Sequence, residues 1–390
     1  MKNGWRTKRL GDVCEIIKGR KPVLKAAPSN GDLPYLVAKV MRGSAEAEYA
    51  SVKDRNSVTV TESETIIICD GSNSGEVFTG FRGILSSTMG KISKKAEIDD
   101  DYLRAFLAST FEVFNGAKTG AAIPHLDKEA MYQLEFPLPP LPEQQRIVGI
   151  LGEAFDGIAT VKANAEKNLQ NARALFESHL QSIFTQRGSG WAQERLGNLC
   201  SIGDGNYSSK YPKASEFLPD GVPFLTATNL KSGTIVPDGL RFISPEQHAQ
   251  LAKGHVRTGD LVVVVRGSNT GNSSFVPQQF SGANLNSQLA FLRPKEKITN
   301  QFLFYSFNSP PIQEKIGKEI SGAAQPQLPN NKLLDIPIWY PALEEQKAIV
   351  KRLDNLSEET QHLATLYERK LAALEALKKS LLNQAFSGQL

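Results

Sequence analysis

Pro139-Pro140-Leu141-Pro142-Glu143-Gln144, with Ile147-Val148 close behind, returns as Pro341-Ala342-Leu343-Glu344-Glu345-Gln346, with Ile349-Val350 in the same places. Each copy leads into a stretch poor in helix breakers. Residues 143–184 hold no proline and three early glycines (Gly149, Gly152, Gly157), and residues 345–386 hold neither proline nor glycine. Apolar or small residues in the first stretch fall at Ile147, Leu151, Ala154, Ile158, Val161 and Ala165, then shifted at Leu169, Ala172, Phe176 and Leu180. The second seam reads Val350, Leu353, Leu356, Leu363, Leu366, Leu371, Leu374, Leu377 and Leu381. Roughly 40 helical residues span about 60 Å, and so long a helix needs a partner to cover its apolar seam. The two stretches match in length and lead-in, so the simplest arrangement pairs them antiparallel within the chain. Separate dimerisation of each with another molecule is the alternative.

The repeat extends outward from these helices. Gly4-Trp5, then Arg9-Leu10-Gly11-Asp12-Val13-Cys14, returns as Gly190-Trp191, then Arg195-Leu196-Gly197-Asn198-Leu199-Cys200, at an offset of 186. Gly71-Ser72-Asn73-Ser74-Gly75 returns as Gly267-Ser268-Asn269-Thr270-Gly271, and Gly120-Ala121-Ala122-Ile123-Pro124 as Gly322-Ala323-Ala324-Gln325-Pro326. By the helix lead-ins the offset has grown to 202, so the copies have diverged. Units of this length exceed a solenoid repeat. They predict internal two-fold pseudo-symmetry, which suits a nearly two-fold ligand, and duplex DNA is the commonest such ligand. The expected division is 1–141 and 188–342 for two mixed α+β domains, with long helices in 142–187 and 343–390. Within the domains, β-type runs fall at Tyr35-Leu36-Val37, 65–69, Gly90-Lys91-Ile92 and 261–265. Helical patterns cover 102–114 and 301–320, the second interrupted at Pro310-Pro311. The end, Phe386-Ser387-Gly388, resembles the join at Ser189-Gly190-Trp191, which predicts neighbouring termini.

Composition narrows the class. A chain of 390 residues, 40% hydrophobic and 22% charged, can build two or three ordinary cores. Three cysteines give no disulfide framework, and Cys14, Cys69 and Cys200 read as small core residues. No CxxC occurs and the five histidines lack ligand spacing, so no metal is expected. Neither a signal-peptide pattern nor a membrane-length apolar run is found, so a cytoplasmic location is expected. Net charge is only +4, but residues 1–42 carry ten Lys or Arg against three acids. Lys18, Arg20 and Lys21, with Lys39 and Arg42, are candidate phosphate contacts, against the competing reading of a solvated surface.

No catalytic constellation emerges. Ser309-Pro310-Pro311-Ile312 approximates the tetrapeptide of amino-methyltransferases, but Ile312 replaces the aromatic that would stack on a base. There is no GxxxxGK[ST] and no glycine-rich nucleotide turn. Glu368-Arg369-Lys370 lies on a long helix with no matching acid nearby. The best contact candidates are the two Gly-Ser-Asn-Ser/Thr-Gly loops, each following an apolar strand. Asn73 and Asn269 have the groups to pair with adenine, and Ser72, Ser74, Ser268 and Thr270 can bond bases or phosphates. Arg266 before the second loop could reach guanine, and Asp70 before the first could accept from cytosine. The competing reading is a tight turn satisfying its own backbone. Asn206, Tyr207, Ser208 and Lys210, residues 284–288, and His125 with its counterpart Gln327 are further polar candidates. Trp5 and Trp191 read as packing residues.

The helix lead-ins, with Gly-Trp and Leu-Gly-Asp at the domain start, make the whole chain resemble the specificity subunit of type I restriction–modification systems. The resemblance implies an α+β fold. Two globular α/β target-recognition domains would be related by pseudo-two-fold symmetry and joined by two long antiparallel helices in an intramolecular coiled coil. It implies a non-catalytic subunit that reads a split double-stranded DNA target, and the divergence of the two copies predicts that this target is asymmetric. Partner modification subunits would methylate adenine N6 with S-adenosylmethionine, and motor-nuclease restriction subunits would use ATP and Mg²⁺. Competing classes are a stand-alone DNA-binding regulator, a self-sufficient methyltransferase or nuclease, and a coiled-coil scaffold without a DNA role.

Overall fold

The computed structural model describes residues 5–116, 124–207, 209–231, 233–322 and 324–390. It falls into two units, Met1–Glu166 with Arg369–Leu390, and Lys167–Glu368. Two helices contribute to both units, Leu141–Gln186 with 46 residues and Leu343–Ser387 with 45.

In the first unit these helices run antiparallel. Arg146 donates to the Leu390 carbonyl (2.8 Å), Lys378 lies over the Phe155 ring (5.3 Å), and Lys162 pairs with Glu375 (2.6 Å). Numbers rise on one helix as they fall on the other. In the second unit Arg173 pairs with Glu368 (2.8 Å), while Leu175 and His179 share a groove with Arg352 and Leu356. The first helix buries Ile147, Leu151, Ala165, Ala172 and Leu180 as its spacing predicts. The second departs from its leucine pattern. Leu363, Leu366 and Leu377 are exposed, and Thr360 is buried with its hydroxyl donated to the Leu356 and Ser357 carbonyls (2.8 and 3.1 Å). Extending the 3-4 spacing from Leu353 gives 357, 360, 364, 367, 371 and 374, so Leu363 and Leu366 fall one residue off the seam.

Each unit carries the same four-stranded sheet. In the first its order is Cys14–Lys18, Met89–Lys94, Ile66–Ile68, Val77–Phe78. In the second it is Cys200–Asp204, Leu289–Pro294, Leu261–Val264, Ser273–Phe275. All neighbours are antiparallel, and Lys18 opposite Gly90 corresponds to Asp204 opposite Ala290. Beside each sheet two strands pair in parallel, Asp32–Leu36 with Gly83–Leu85 and Val222–Leu225 with Asn284–Leu285. A glycine follows the first sheet strand in both copies because the backbone behind it is close. A Cβ on Gly19 would sit 2.2 Å from the Ser86 carbonyl oxygen, and one on Gly205 only 1.7 Å from that of Asn286.

The repeated lead-in has a mechanical reason. Gln144 is buried, donates to the Pro139 carbonyl (2.9 Å) and accepts from the backbone of Asp99 (2.9 Å). Asp99 is the N-cap of the helix Asp100–Ser109. Gln346 likewise donates to the carbonyls of Pro341 and Lys297 (both 2.9 Å) and accepts from Thr299 (2.8 Å), the N-cap of Asn300–Phe307. One glutamine in each copy thus ties the long helix, its proline lead-in and the start of a domain helix together. Apolar replacement would leave buried groups unpaired, at about 1–3 kcal/mol each.

Around each clamp an aromatic cluster closes the core. Phe386 meets Tyr102 and Phe106 edge-on (5.3 and 5.2 Å), and Phe184 meets Phe302 and Trp191 (5.5 and 6.1 Å). Trp5 and Leu390 pack against the same cluster as Phe386, as neighbouring ends require. All three cysteines are buried, and burial raises the Cys14 and Cys69 thiols to about 11 and the Cys200 thiol to about 12. The helix expected over 102–114 breaks at Thr110 into Asp100–Ser109 and Phe111–Gly116. The 301–320 pattern divides at the prolines into Asn300–Phe307 and Pro310–Glu319.

Candidate nucleic-acid interface

A buried apolar strand ends at each Gly-Ser-Asn loop and fixes its base. Gly71 N donates to the Pro124 carbonyl (2.8 Å), Ser74 N to Gly71 (3.2 Å), Gly75 N to Ile68 (2.8 Å) and Glu76 N to Asn73 (3.1 Å). In the second unit Gly267 donates to Pro326 (2.9 Å), Thr270 to Gly267 (3.1 Å), Gly271 to Val264 (2.8 Å) and Asn272 to Asn269 (3.1 Å). The four glycines have φ of +120°, +94°, +106° and +99°, a region that favours glycine. The loop and the Pro124 or Pro326 segment therefore form one backbone-bonded rim in each copy. Isolated bridges pair Asp70 with His125 and Arg266 with Gln327.

The two rims carry opposite charge at equivalent stations. In the first unit the Asp70 carboxylate takes Lys18 Nζ at 2.7 Å and His125 Nδ1 at 2.8 Å. Burial raises its pKa, but these hydrogen bonds and charges outweigh burial, and the net shift is downward. Asp70 is thus engaged inside the protein and is not the open cytosine acceptor that its position suggested. In the second unit the acid stands on the strand, at Asp204, and the cation on the loop, at Arg266. The Arg266 guanidinium stacks over the Tyr207 ring at 4.6 Å from the centroid. Arg266, Tyr207, Asp204 and Gln327 line one cavity of about 420 Å³.

The remaining candidates divide. Arg20, Lys21 and Lys39 are exposed, whereas Arg42 pairs with Glu76 and lies 5.8 Å from the Phe78 ring centroid. Asn73 also donates to Glu76 (3.2 Å), and the exposed Ser72 hydroxyl donates to Asn73 Oδ1 (3.2 Å). Ser74 is buried, and its hydroxyl meets no partner among the described residues. Thr270, its counterpart, ties the loop down through the Gly267 and Pro326 carbonyls (2.7 and 3.2 Å). Ser268, Asn269, Gln327 and Lys210 are exposed, Asn206 is buried, and Ser208 lies outside the described residues. Within 284–288, Asn284 and Asn286 are buried, leaving Ser287 and Gln288 at the surface, with Gln288 bonded to Asn286 (3.1 Å). The structure therefore gathers Lys18 and His125 with the first loop, and Tyr207, Arg266 and Gln327 with the second.

One feature escaped the sequence pattern. A second cavity of about 650 Å³ beyond Asp204 is lined by Lys253, Arg257 and Arg293 and by the stacked rings of His248 and His255 (4.4 Å). Arg293 is held there by two bonds to the buried Asp260 (2.8 and 2.7 Å). Lys253, His255 and Arg257 come from one short stretch, and the fold brings His248 and Arg293 to it from other segments. No cluster of three or more His, Cys, Asp or Glu that could hold a metal occurs among the described residues. No helix among them is long and apolar enough to cross a membrane.

Comparison with known proteins agrees with this two-copy plan. The family model for the type I restriction modification DNA specificity domain matches residues 2–170 and 188–371. The type I restriction enzyme MjaVIII specificity subunit of Methanocaldococcus jannaschii is 30% identical, over 99% of this chain and 93% of its own. The EcoBI specificity subunit of Escherichia coli is 22% identical, over 91% and 79%. For the fold, a chain from a study of complex assembly and conformational transition in the type I R-M system matches with a TM-score of 0.78 at 21% identity, covering 100% and 99%. The HsdS subunit from Thermoanaerobacter tengcongensis matches with 0.58 at 20%, covering 100% and 98%. With both halves matched, the chain belongs to the type I restriction–modification DNA specificity family, as a DNA-recognition subunit rather than a catalytic one.

Proposed function

We propose that each unit reads one half of an asymmetric, bipartite double-stranded DNA site, so that partner subunits methylate adenine N6 or restrict unmodified DNA. The observation that carries this reading is the shared backbone rim with diverged, charge-inverted side chains. Equal frames suit docking on two similar duplex segments, and unequal side chains suit different bases. Residues 1–141 and 188–342 would form the target-recognition domains, and 142–187 and 343–390 the paired helices. Arg20, Lys21 and Lys39, with Lys253 and Arg257 in the second unit, would meet phosphates and set register. Residues on the rims meet base edges. The modified adenine would be flipped into a modification subunit, because its amino group is not accessible to methyl transfer within the stack. S-adenosylmethionine would then be the modification subunits' cofactor, and ATP and Mg²⁺ would serve the restriction subunits, all in the cytoplasm.

The test is modification-sensitive sequencing of DNA from a methylation-free host expressing this chain with and without the methyltransferase encoded beside it. N6-methyladenine at one split motif, only when both are present, is the expected result. Absence of methylation from a purified complex of the two would defeat the proposal. Lengthening both long helices by one heptad should change the unread spacer and leave both half-sites intact.

A further inference from the structure

We infer that Arg266 is the guanine-reading residue of the second unit, held ready by the Tyr207 ring and by a rigid strand behind it. The inference rests on the DNA-recognition reading above and adds to it a base, a residue and a geometry.

Four observations converge on this side chain. Its position is fixed, because it directly follows the buried run Leu261 to Val265. Its backbone is held on both sides, by a bond to the Gln288 carbonyl (3.3 Å) and by the bridge to Gln327. Its head group is positioned as well, with the guanidinium carbon over the Tyr207 ring, 4.6 Å from the centroid. A contact with the ring restricts the side chain's rotamers before any ligand arrives and uses none of its N–H donors in an ion pair. The donors are also not consumed by an internal ion pair. Among the described residues no carboxylate lies within 4.0 Å of the guanidinium, whereas Asp70 at the equivalent station is bonded to Lys18 and His125.

The choice of base follows from the inventory of donors and acceptors. A guanidinium has only donors, in a planar fork. In the major groove guanine alone offers two adjacent acceptors, O6 and N7, whereas adenine sets a donor beside its acceptor. Gln327, exposed on the same rim, has both kinds of group and suits a neighbouring position. A phosphate contact would use the same donors but carry no base preference.

The experiment measures binding of the wild-type complex with its methyltransferase subunits to duplexes carrying the methylated motif. Each guanine in turn is replaced by 7-deazaguanine, which lacks N7, or by hypoxanthine, which keeps O6 and N7. At one guanine, 7-deazaguanine should weaken binding about ten- to hundredfold, and hypoxanthine should change it only a few-fold. In the complex with Arg266→Ala that penalty should disappear, and the methylation profile should relax at that position while the other half-site stays intact. Arg266→Lys should discriminate poorly, and Tyr207→Leu should fall between wild type and Arg266→Ala. A motif at which no guanine shows this pattern overturns the inference, as does an Arg266→Ala profile lowered equally at every position. If Arg266→Ala does not assemble, the modified-base series on the wild-type complex still decides. A wild-type complex that methylates no split motif would instead sink the broader function.

Discussion

The reading rims of the two units share a backbone and differ in what they do with charge. In the first, Asp70 draws Lys18 and His125 inward and the loop's Asn73 leans on Glu76. In the second, the cation sits on the loop, stacked on Tyr207, with Ser268 and Asn269 exposed beside it. The first rim presents donors secured by an acid behind them. The second presents a guanidinium secured by a ring. The lesson is that the frame belongs to the backbone and the message to the side chains. Every bond common to both rims is main chain to main chain, so side chains at the tips can differ without altering the frame.

The largest effect should come from crowding the glycines that follow the first sheet strand. Gly205→Ala should cost about 3 kcal/mol or more, since the backbone itself must move. Gly19→Ala should cost less, because its Cβ would sit farther from the opposing carbonyl. Hydrogen exchange resolved by unit would show the loss confined to the unit that carries the change, and equal stability of both variants with wild type would break the comparison. Next come the clamps. Gln346→Leu should cost about 2–3 kcal/mol and Gln144→Leu somewhat less, because Gln346 also holds the Lys297 carbonyl. Denaturant unfolding followed in each unit would rank them, and the reverse order would count against the clamp.

A smaller and opposite change is expected along the first long helix. Gly149, Gly152 and Gly157 have open space where a Cβ would go, so each alanine should stabilise the isolated chain by about 0.5–1 kcal/mol. The second long helix, without glycine, offers no such gain. Failure of the triple variant to raise the melting temperature would argue that something other than helix propensity limits this stretch. The smallest effect concerns pH. The Asp70 carboxyl titrates below its usual 3.8 in the folded chain. Its ion pairs therefore stabilise the first unit above that pH, and the contribution disappears as pH falls through the lowered value. With Lys18 and His125 about half exposed, the contribution is at most about 1 kcal/mol. Asp70→Asn should flatten the acid limb of first-unit stability and leave that of the second unchanged. An identical acid limb in the variant would count against the pairing.

The repeat, the long helices and their antiparallel pairing were legible because helical periodicity and matched lead-ins are local in sequence. The loops were legible too, since glycine with small polar residues after an apolar run has few other uses. The seam of the second helix was misread at Leu363 and Leu366, because leucine content outvoted spacing and the buried Thr360 supports itself through its own backbone. What joins distant segments was not legible. The role of Gln144 depends on Asp99, that of Lys18 on Asp70, and Tyr207 meets Arg266 across 59 residues of chain. The basic cavity has the same origin in part, for Arg293 reaches the Lys253–Arg257 stretch only through the fold.

The backbone rim has a consequence for how such a protein changes over generations. Because Ser268 and Asn269 are exposed on a loop held by main-chain bonds, selection for a stable chain barely constrains their side chains. Single substitutions there can shift the preferred target while the molecule stays intact, and new preferences can accumulate one half-site at a time. The same architecture that makes recognition dependable within one lineage therefore leaves it free to drift between lineages.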